Sequence, residues 1–221
     1  MRHKGVLTVV SGFSGAGKGT IIKELLKRYD TYALSISVTT RKPRISSTTG
    51  EMEQDGVEYF FLDRDEFQAM IHQDALIEDA VYRDNYYGTP RKYVEEQLRE
   101  GKDVLLEIEV QGAAKIKEKF PETALIFVTA PTAAELKRRL VGRGTETPEE
   151  IEGRLARAVE ESEFIRNYDY VLVNDVLDEA VESLHAIVTA EHQHSTNKHL
   201  RDFVDQLTGE LKDITKEENS L

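Results

Sequence analysis

The chain has 221 residues, of which 39% are hydrophobic, 8% aromatic and 32% charged, with five prolines and no cysteine. Those values fit one ordinary globular domain, with or without elaborations, and exclude a disordered, proline-rich or disulfide-framed chain, a thiolate metal site and a cysteine nucleophile. A formal charge of −12 argues against nonspecific binding to nucleic acid or to an anionic membrane, yet the first fifty residues hold nine of the 29 Lys/Arg and only two of the 41 Asp/Glu.

The first apolar run, 6–10, is too short for a secretory segment of about 7–15 apolar residues or a membrane span of about 20, so a cytoplasmic protein is expected. Its β-branched residues, bounded by glycines, predict a buried strand. A helix follows at 18–28, with Ile21, Ile22, Leu25 and Leu26 on one face. LSISV at 34–38 predicts a second strand, and 39–55 a polar loop with a Ser/Thr-rich insert. VEYFFL at 57–62 and LIEDAVY at 76–82 predict strands around a helix at 64–72 that Asp63 caps. NYYG at 85–88 predicts a turn or strand edge, and Pro90 the first residue of a helix running to Glu100. DVLLEIEV at 103–110, ALIFVT at 124–129 and YVLVN at 170–174 complete the strands, each followed by helix-like sequence. The alternation predicts an α/β fold, a mostly parallel sheet covered by helices on both faces. From about residue 196 the chain turns polar, with LRDFVDQL at 200–207 as its amphipathic patch, and a C-terminal helix with a frayed tail is expected over 191–221. Four of the six histidines lie between His185 and His199; solvated helix positions are the expected reading, with a metal site as the alternative.

Directly after the first strand stands GFSGAGKGT, from Gly12 through Phe13, Ser14, Gly15, Ala16, Gly17, Lys18 and Gly19 to Thr20. Its glycines and lysine follow the P-loop pattern in the strand-to-helix context that pattern needs. Backbone N–H groups freed by glycine point at polyphosphate oxygens, the helix N-terminus adds partial positive charge, and Lys18 reaches the outer phosphates. The strict pattern places Ser or Thr directly after the lysine as a Mg²⁺ ligand. Here Gly19 intervenes, so Thr20 acts on phosphate, through water or on the metal.

Other charges suit a second anion. Arg41 and Arg44, three apart across a proline, offer two guanidinium forks for a monophosphate, or form a solvated basic loop. Glu107 and Glu109, two apart at the end of an apolar strand, are expected on one face, where ligands bind in open α/β sheets; one or both could hold Mg²⁺ or a substrate, or alternate on an edge strand. Arg138, Arg139, Arg143, Arg154 and Arg157 flank a glycine-containing break, and Arg143 and Arg154 are the first choices for closing over transferring phosphoryl groups.

Seven segments in order, GFSGAGKGT, SVTTRKPR, GEMEQDGVEYFF, LIEDAVYRDNYYGTP, LLEIEVQGA, LVGRGTET and LVND, make the chain resemble the guanylate kinases across roughly residues 5–190. The resemblance implies a P-loop NTPase core (1–36, 90–134 and 161–190), a GMP-binding insertion (37–89) and a mobile lid (135–160). It implies transfer of the ATP γ-phosphate to GMP, and to dGMP, with Mg²⁺ as cofactor, in purine nucleotide recycling and GTP supply. By resemblance Ser37, Arg41, Arg44, Tyr59 and Tyr87 hold the GMP phosphate, Glu78 and Thr89 read guanine, Glu107 and Glu109 stand behind base and metal, and Asn174 lies near the donor adenine. The P-loop residues and Asn174 thus form the ATP side, Lys18, Arg143 and Arg154 the catalytic cations, and Thr20 and Glu109 the protein contributors to Mg²⁺. Nucleic acid and membrane are not expected partners, and the oligomeric state stays open. Phe13 departs from a frequent proline, residues 45–49 lengthen a loop, and Glu109 replaces a frequent aspartate. Tyr59 and Tyr87 could instead serve only in packing. The competing readings are a kinase for another nucleotide or phosphorylated sugar, and a non-catalytic guanylate-kinase-like peptide-binding module.

Overall fold

The structure, a computed structural model, describes residues 4–45, 50–82, 84–142, 147–194 and 198–218. The chain enters through β1 (Leu7–Gly12), passes into α1 (Lys18–Arg28) and returns through β2 (Tyr32–Leu34). It then leaves for a smaller unit made of β3 (Val38–Thr39), β4 (Phe60–Phe61), α2 (Arg64–His72), β5 (Leu76–Tyr82) and β6 (Asn85–Pro90). It comes back as α3 (Arg91–Arg99), β7 (Asp103–Glu107), α4 (Val110–Lys119) and β8 (Ala124–Thr129). The helices α5 (Ala133–Gly142) and α6 (Pro148–Ser162) follow, then β9 (Tyr170–Val173), α7 (Leu177–Glu191) and α8 (Lys198–Glu218).

The main sheet has the order β2-β7-β1-β8-β9, and every pairing in it is parallel. Strand alternation sends successive side chains to opposite faces. Val6 and Val10 join a core with Ile21, Ile22 and Leu25 of α1 and Val181, Leu184 and Val188 of α7. Leu7 and Val9 join the opposite core with Val94 and Leu98 of α3 and Ala113 and Ile116 of α4. Both faces are therefore covered, which is why β1, β7 and β8 carry nearly unbroken apolar sequence. The smaller sheet, order β4-β3-β6-β5, mixes parallel and antiparallel pairs and packs Val38, Phe67 and Leu76 into its own small core.

Local chemistry explains the boundaries. Asp63 and Glu66 form a reciprocal capping box that starts α2, and Thr147 and Glu150 form another at α6, where Pro148 occupies the first turn. Four sequence expectations shift. The 34–38 segment is two short strands, β2 and β3, in different sheets, because the chain crosses between them at 35–37. Only Phe60 and Phe61 of 57–62 pair as a strand. Pro90 ends β6 and caps α3 rather than opening it, while residues 85–88 take the strand side of the two readings the sequence allowed. The 103–110 run stops as a strand at Glu107, and Glu109 caps α4.

The histidines of α7 are not simply solvated. His185 stacks on Tyr29 at 3.8 Å between centroids and meets the Tyr32 hydroxyl at 2.7 Å, while His192 Nε2 lies 2.9 Å from Asp103 Oδ1. Among the described residues no group of three or more acidic or histidine side chains could hold a metal on its own, and no helix is long and apolar enough to cross a membrane.

Candidate active site

The glycine cradle forms where β1 turns into α1. Gly17 sits at φ 91°, and a side-chain carbon there would come within 2.4 Å of Asn174 Nδ2; at Gly12, with φ 144°, it would strike the Val128 carbonyl at 2.0 Å. Both positions are closed to other residues by conformation and by space. The loop is braced from outside: Asn174, just beyond β9, donates through Nδ2 to the Ala16 carbonyl at 2.8 Å. Asn174 thus shapes the cradle directly. Phe13 packs edge-on against Phe127, with ring centroids 4.9 Å apart, which ties its side chain to the core. Lys18 Nζ donates to the carbonyls of Gly12 at 2.6 Å and Phe13 at 3.2 Å, so the ammonium is held over the loop. Ser14 accepts a hydrogen bond from Nη1 of Arg154, a residue of α6. Gly19 and Thr20 are exposed, and Gly15 and Ala16 are buried. Arg143 lies outside the described residues.

The smaller sheet gathers a second cluster. Arg41 stands two residues past the end of β3, and its guanidinium pairs with Glu53, Nη1 to Oε2 at 2.8 Å and Nη2 to Oε1 at 3.1 Å. Arg44 donates its backbone N–H to Glu53 Oε2 at 3.1 Å and lies with Nε 3.5 Å from Oε1. The Arg41 guanidinium also sits 5.1 Å over the Tyr59 ring, and Tyr59 stands edge-on to Tyr87 at 6.0 Å. Buried Glu53 therefore orients both arginines, and they hold its carboxyl below the usual range although burial pushes the other way. The segment GEMEQDGVEYFF was part of the family resemblance, but nothing in the sequence singled out Glu53 within it. Ser37 sits at the crossing into this sheet, half-buried, its carbonyl accepting from the Phe60 N–H.

Glu78 projects from β5 and is 3% exposed. Burial pushes its carboxyl up to about 7, against the lowering effect of the Thr89 hydroxyl, which donates to Oε1 at 2.8 Å. The space for it comes from α4: a methyl group at Gly112 would stand 3.0 Å from Glu78 Oε2. Glu107 ends β7 and is exposed. Surrounding protein still raises its pKa, and Lys18 opposes that rise. Glu107 lies beside the cradle, where a side-chain carbon at Gly19 would stand 3.6 Å from its Oε2, and its charge helps to raise the Tyr59 pKa. Glu109 heads α4 instead of following Glu107 along one strand face, which corrects the sequence expectation. The structure adds Glu161 of α6, buried, with its pKa raised to about 7 by burial and by Glu109 while Lys18 lowers it. Its place in the acidic run VEESE gave no sign of burial.

A glycine-rich cradle at the carboxyl end of a covered parallel sheet, with a lysine held over it, defines a P-loop nucleotide-binding fold. The guanylate kinase family model matches residues 4–191, and the chain belongs to that family. Curated guanylate kinases of Bacillus cereus and Bacillus anthracis are each 54% identical to it over 191 residues, 86% of this chain and 90% of theirs. A crystal structure of guanylate kinase from Anaplasma phagocytophilum matches with a TM-score of 0.73 at 31% identity, covering 93% of this chain and 96% of that one.

Proposed function

We infer that the protein transfers the γ-phosphate of ATP to GMP, giving ADP and GDP, and accepts dGMP as well, in the cytoplasmic recycling of purine nucleotides. The observation that carries this reading is the buried Glu78–Thr89 pair, 2.8 Å apart, in a sheet beside a phosphate cradle. Guanine presents N1–H and N2–H side by side, and one carboxylate accepts both. Adenine would turn the N1 lone pair toward that carboxylate, so Glu78 also repels the wrong base. The Thr89 proton already points at Glu78, so a contact with guanine O6 needs the hydroxyl to rotate.

ATP lies with its phosphates against the loop from Gly12 to Thr20 and its adenine toward Asn174. GMP lies in the smaller sheet, its phosphate held by Ser37, Arg41, Arg44, Tyr59 and Tyr87. The insertion then runs over 37–89 and the lid over 135–160. The chemistry needs no covalent intermediate: an oxygen of the GMP phosphate attacks the γ-phosphorus in line, and positioning and fixed positive charge carry the rate. Lys18, Arg154 and Arg143 supply that charge from the protein.

The donor set fits Mg²⁺, which binds through one or two carboxylates plus substrate phosphates instead of an all-protein cage. Glu107 is close enough to Lys18 for the ammonium to lower its pKa and close enough to Glu109 for that carboxylate to raise it; on this reading Thr20 and Glu109 are the groups assigned to the ion, directly or through water. When bound, it neutralises phosphate charge. A coupled assay of ADP release with GMP, dGMP, AMP, CMP and UMP tests the assignment. Turnover confined to the guanine nucleotides is expected; equal turnover with AMP would remove Glu78 from base selection, and none with any acceptor would point to a binding module.

A further inference from the structure

The family match stops at residue 191, and α8 lies beyond it. Every residue from 201 to 215 is exposed, so over that span the helix buries no side chain against the rest of the described chain. Yet Val204, Leu207, Leu211 and Ile214 are large, apolar and 43 to 55% exposed. With half-buried Leu200 they recur at intervals of four, three, four and three residues. That is the a/d spacing of a helix that supercoils with another helix, not the broader stripe of one lying on a globular core. We propose that α8 pairs in parallel with α8 of a second copy of this chain, through a seam of Leu200, Val204, Leu207, Leu211 and Ile214.

Three observations favour a second copy. A seam on one helix is by symmetry present on its twin, so like residues meet layer by layer around a twofold axis. The flanks are polar at Arg201, Thr208, Glu210 and Thr215, with Phe203 the apolar exception, which suits the narrow contact of two helices. In parallel register Glu210 faces Thr215 of the other helix, whereas the antiparallel arrangement that pairs Val204 with Ile214 sets Glu210 against Glu210. A membrane surface is the poorer occupant: residues 198–218 hold four Lys/Arg against six Asp/Glu, the wrong balance for anionic lipid. A lone helix with Gly209 near its middle is also marginal in water, so pairing supplies the burial that α8 lacks.

The absence of native cysteine makes the test direct. Sedimentation of the whole chain over a rising concentration series is expected to show twice the 25.1 kDa chain mass. The Leu207→Glu/Leu211→Glu variant should sediment as a single chain while keeping guanylate kinase activity and its melting temperature. Mild oxidation should link Leu207→Cys into a disulfide dimer and leave Gly209→Cys, on the outer face, unlinked. A wild-type monomer at every concentration, a dimer that survives both glutamates, or a mass of three or four chains would overturn the proposal. So would cross-linking only when Leu207→Cys and Leu211→Cys chains are mixed, the mark of antiparallel pairing.

Discussion

Burial pushes the Glu78 carboxyl up to about 7, whereas the proposed contact with guanine's two donors needs the ionised form. GMP binding should therefore expel a proton near neutral pH and tighten as pH rises through about 7. Calorimetry in buffers of differing ionisation enthalpy measures that proton, and Glu78→Gln should abolish it while retaining any contribution from the GMP phosphate. The variant should also raise KM for GMP and weaken rejection of AMP, since a bidentate base contact is worth about 1–3 kcal/mol. The stability sign follows from the raised value: Glu78 favours folding below its ordinary pKa of 4.5, and that contribution is lost as pH rises through about 7. Thermal melts without ligand should thus fall less between pH 5 and 8 in Glu78→Gln than in the parent. Glu53 acts one step back, through Arg41 and Arg44. Hydrogen bonds to charged groups contribute about 1.5–3 kcal/mol, so Glu53→Gln should raise KM for GMP about tenfold with a smaller change in kcat.

Between elements, the contact that matters most runs from α6 to the cradle, Arg154 to Ser14. Arg154→Lys keeps the charge but loses the planar fork, and kcat should fall by about ten- to a hundredfold. Steady-state kinetics beside a melting curve separate the roles, because a purely structural arginine would move the melting temperature instead. Most elements were legible because their signals are local: apolar runs for β1, β7 and β8, Asp63 for the start of α2, the glycines for the cradle. What stayed hidden depends on distant neighbours. Glu53 and Glu161 sit in acidic stretches, and only the folded chain brings them to arginines or to Lys18. Gly112 reads as an ordinary helix residue until Glu78, 34 positions earlier, is seen to occupy its missing side chain. His185 and His192 likewise became packing residues only through Tyr29, Tyr32 and Asp103.

Among the described residues the apolar core closes with Val188, and none of those in α8 joins it. A chain ending at His194 should keep the melting temperature and kcat/KM of the full protein, checked by calorimetry and the coupled assay. The path of the chain has a larger consequence. Among the described residues it crosses between the two sheets twice, at residues 35–37 and again where β6 gives way to α3. One contiguous stretch, 38–90, therefore carries all four strands of the smaller sheet, together with Arg41, Arg44, Glu53, Glu78 and Thr89. Such a stretch can be exchanged between genes by a single segment swap, bringing a new acceptor preference to an old donor site. Glu107, Glu109 and Gly112 would remain with the recipient, so a chimaera would acquire the buried Glu78 carboxylate from one parent and the space that carboxylate fills from the other.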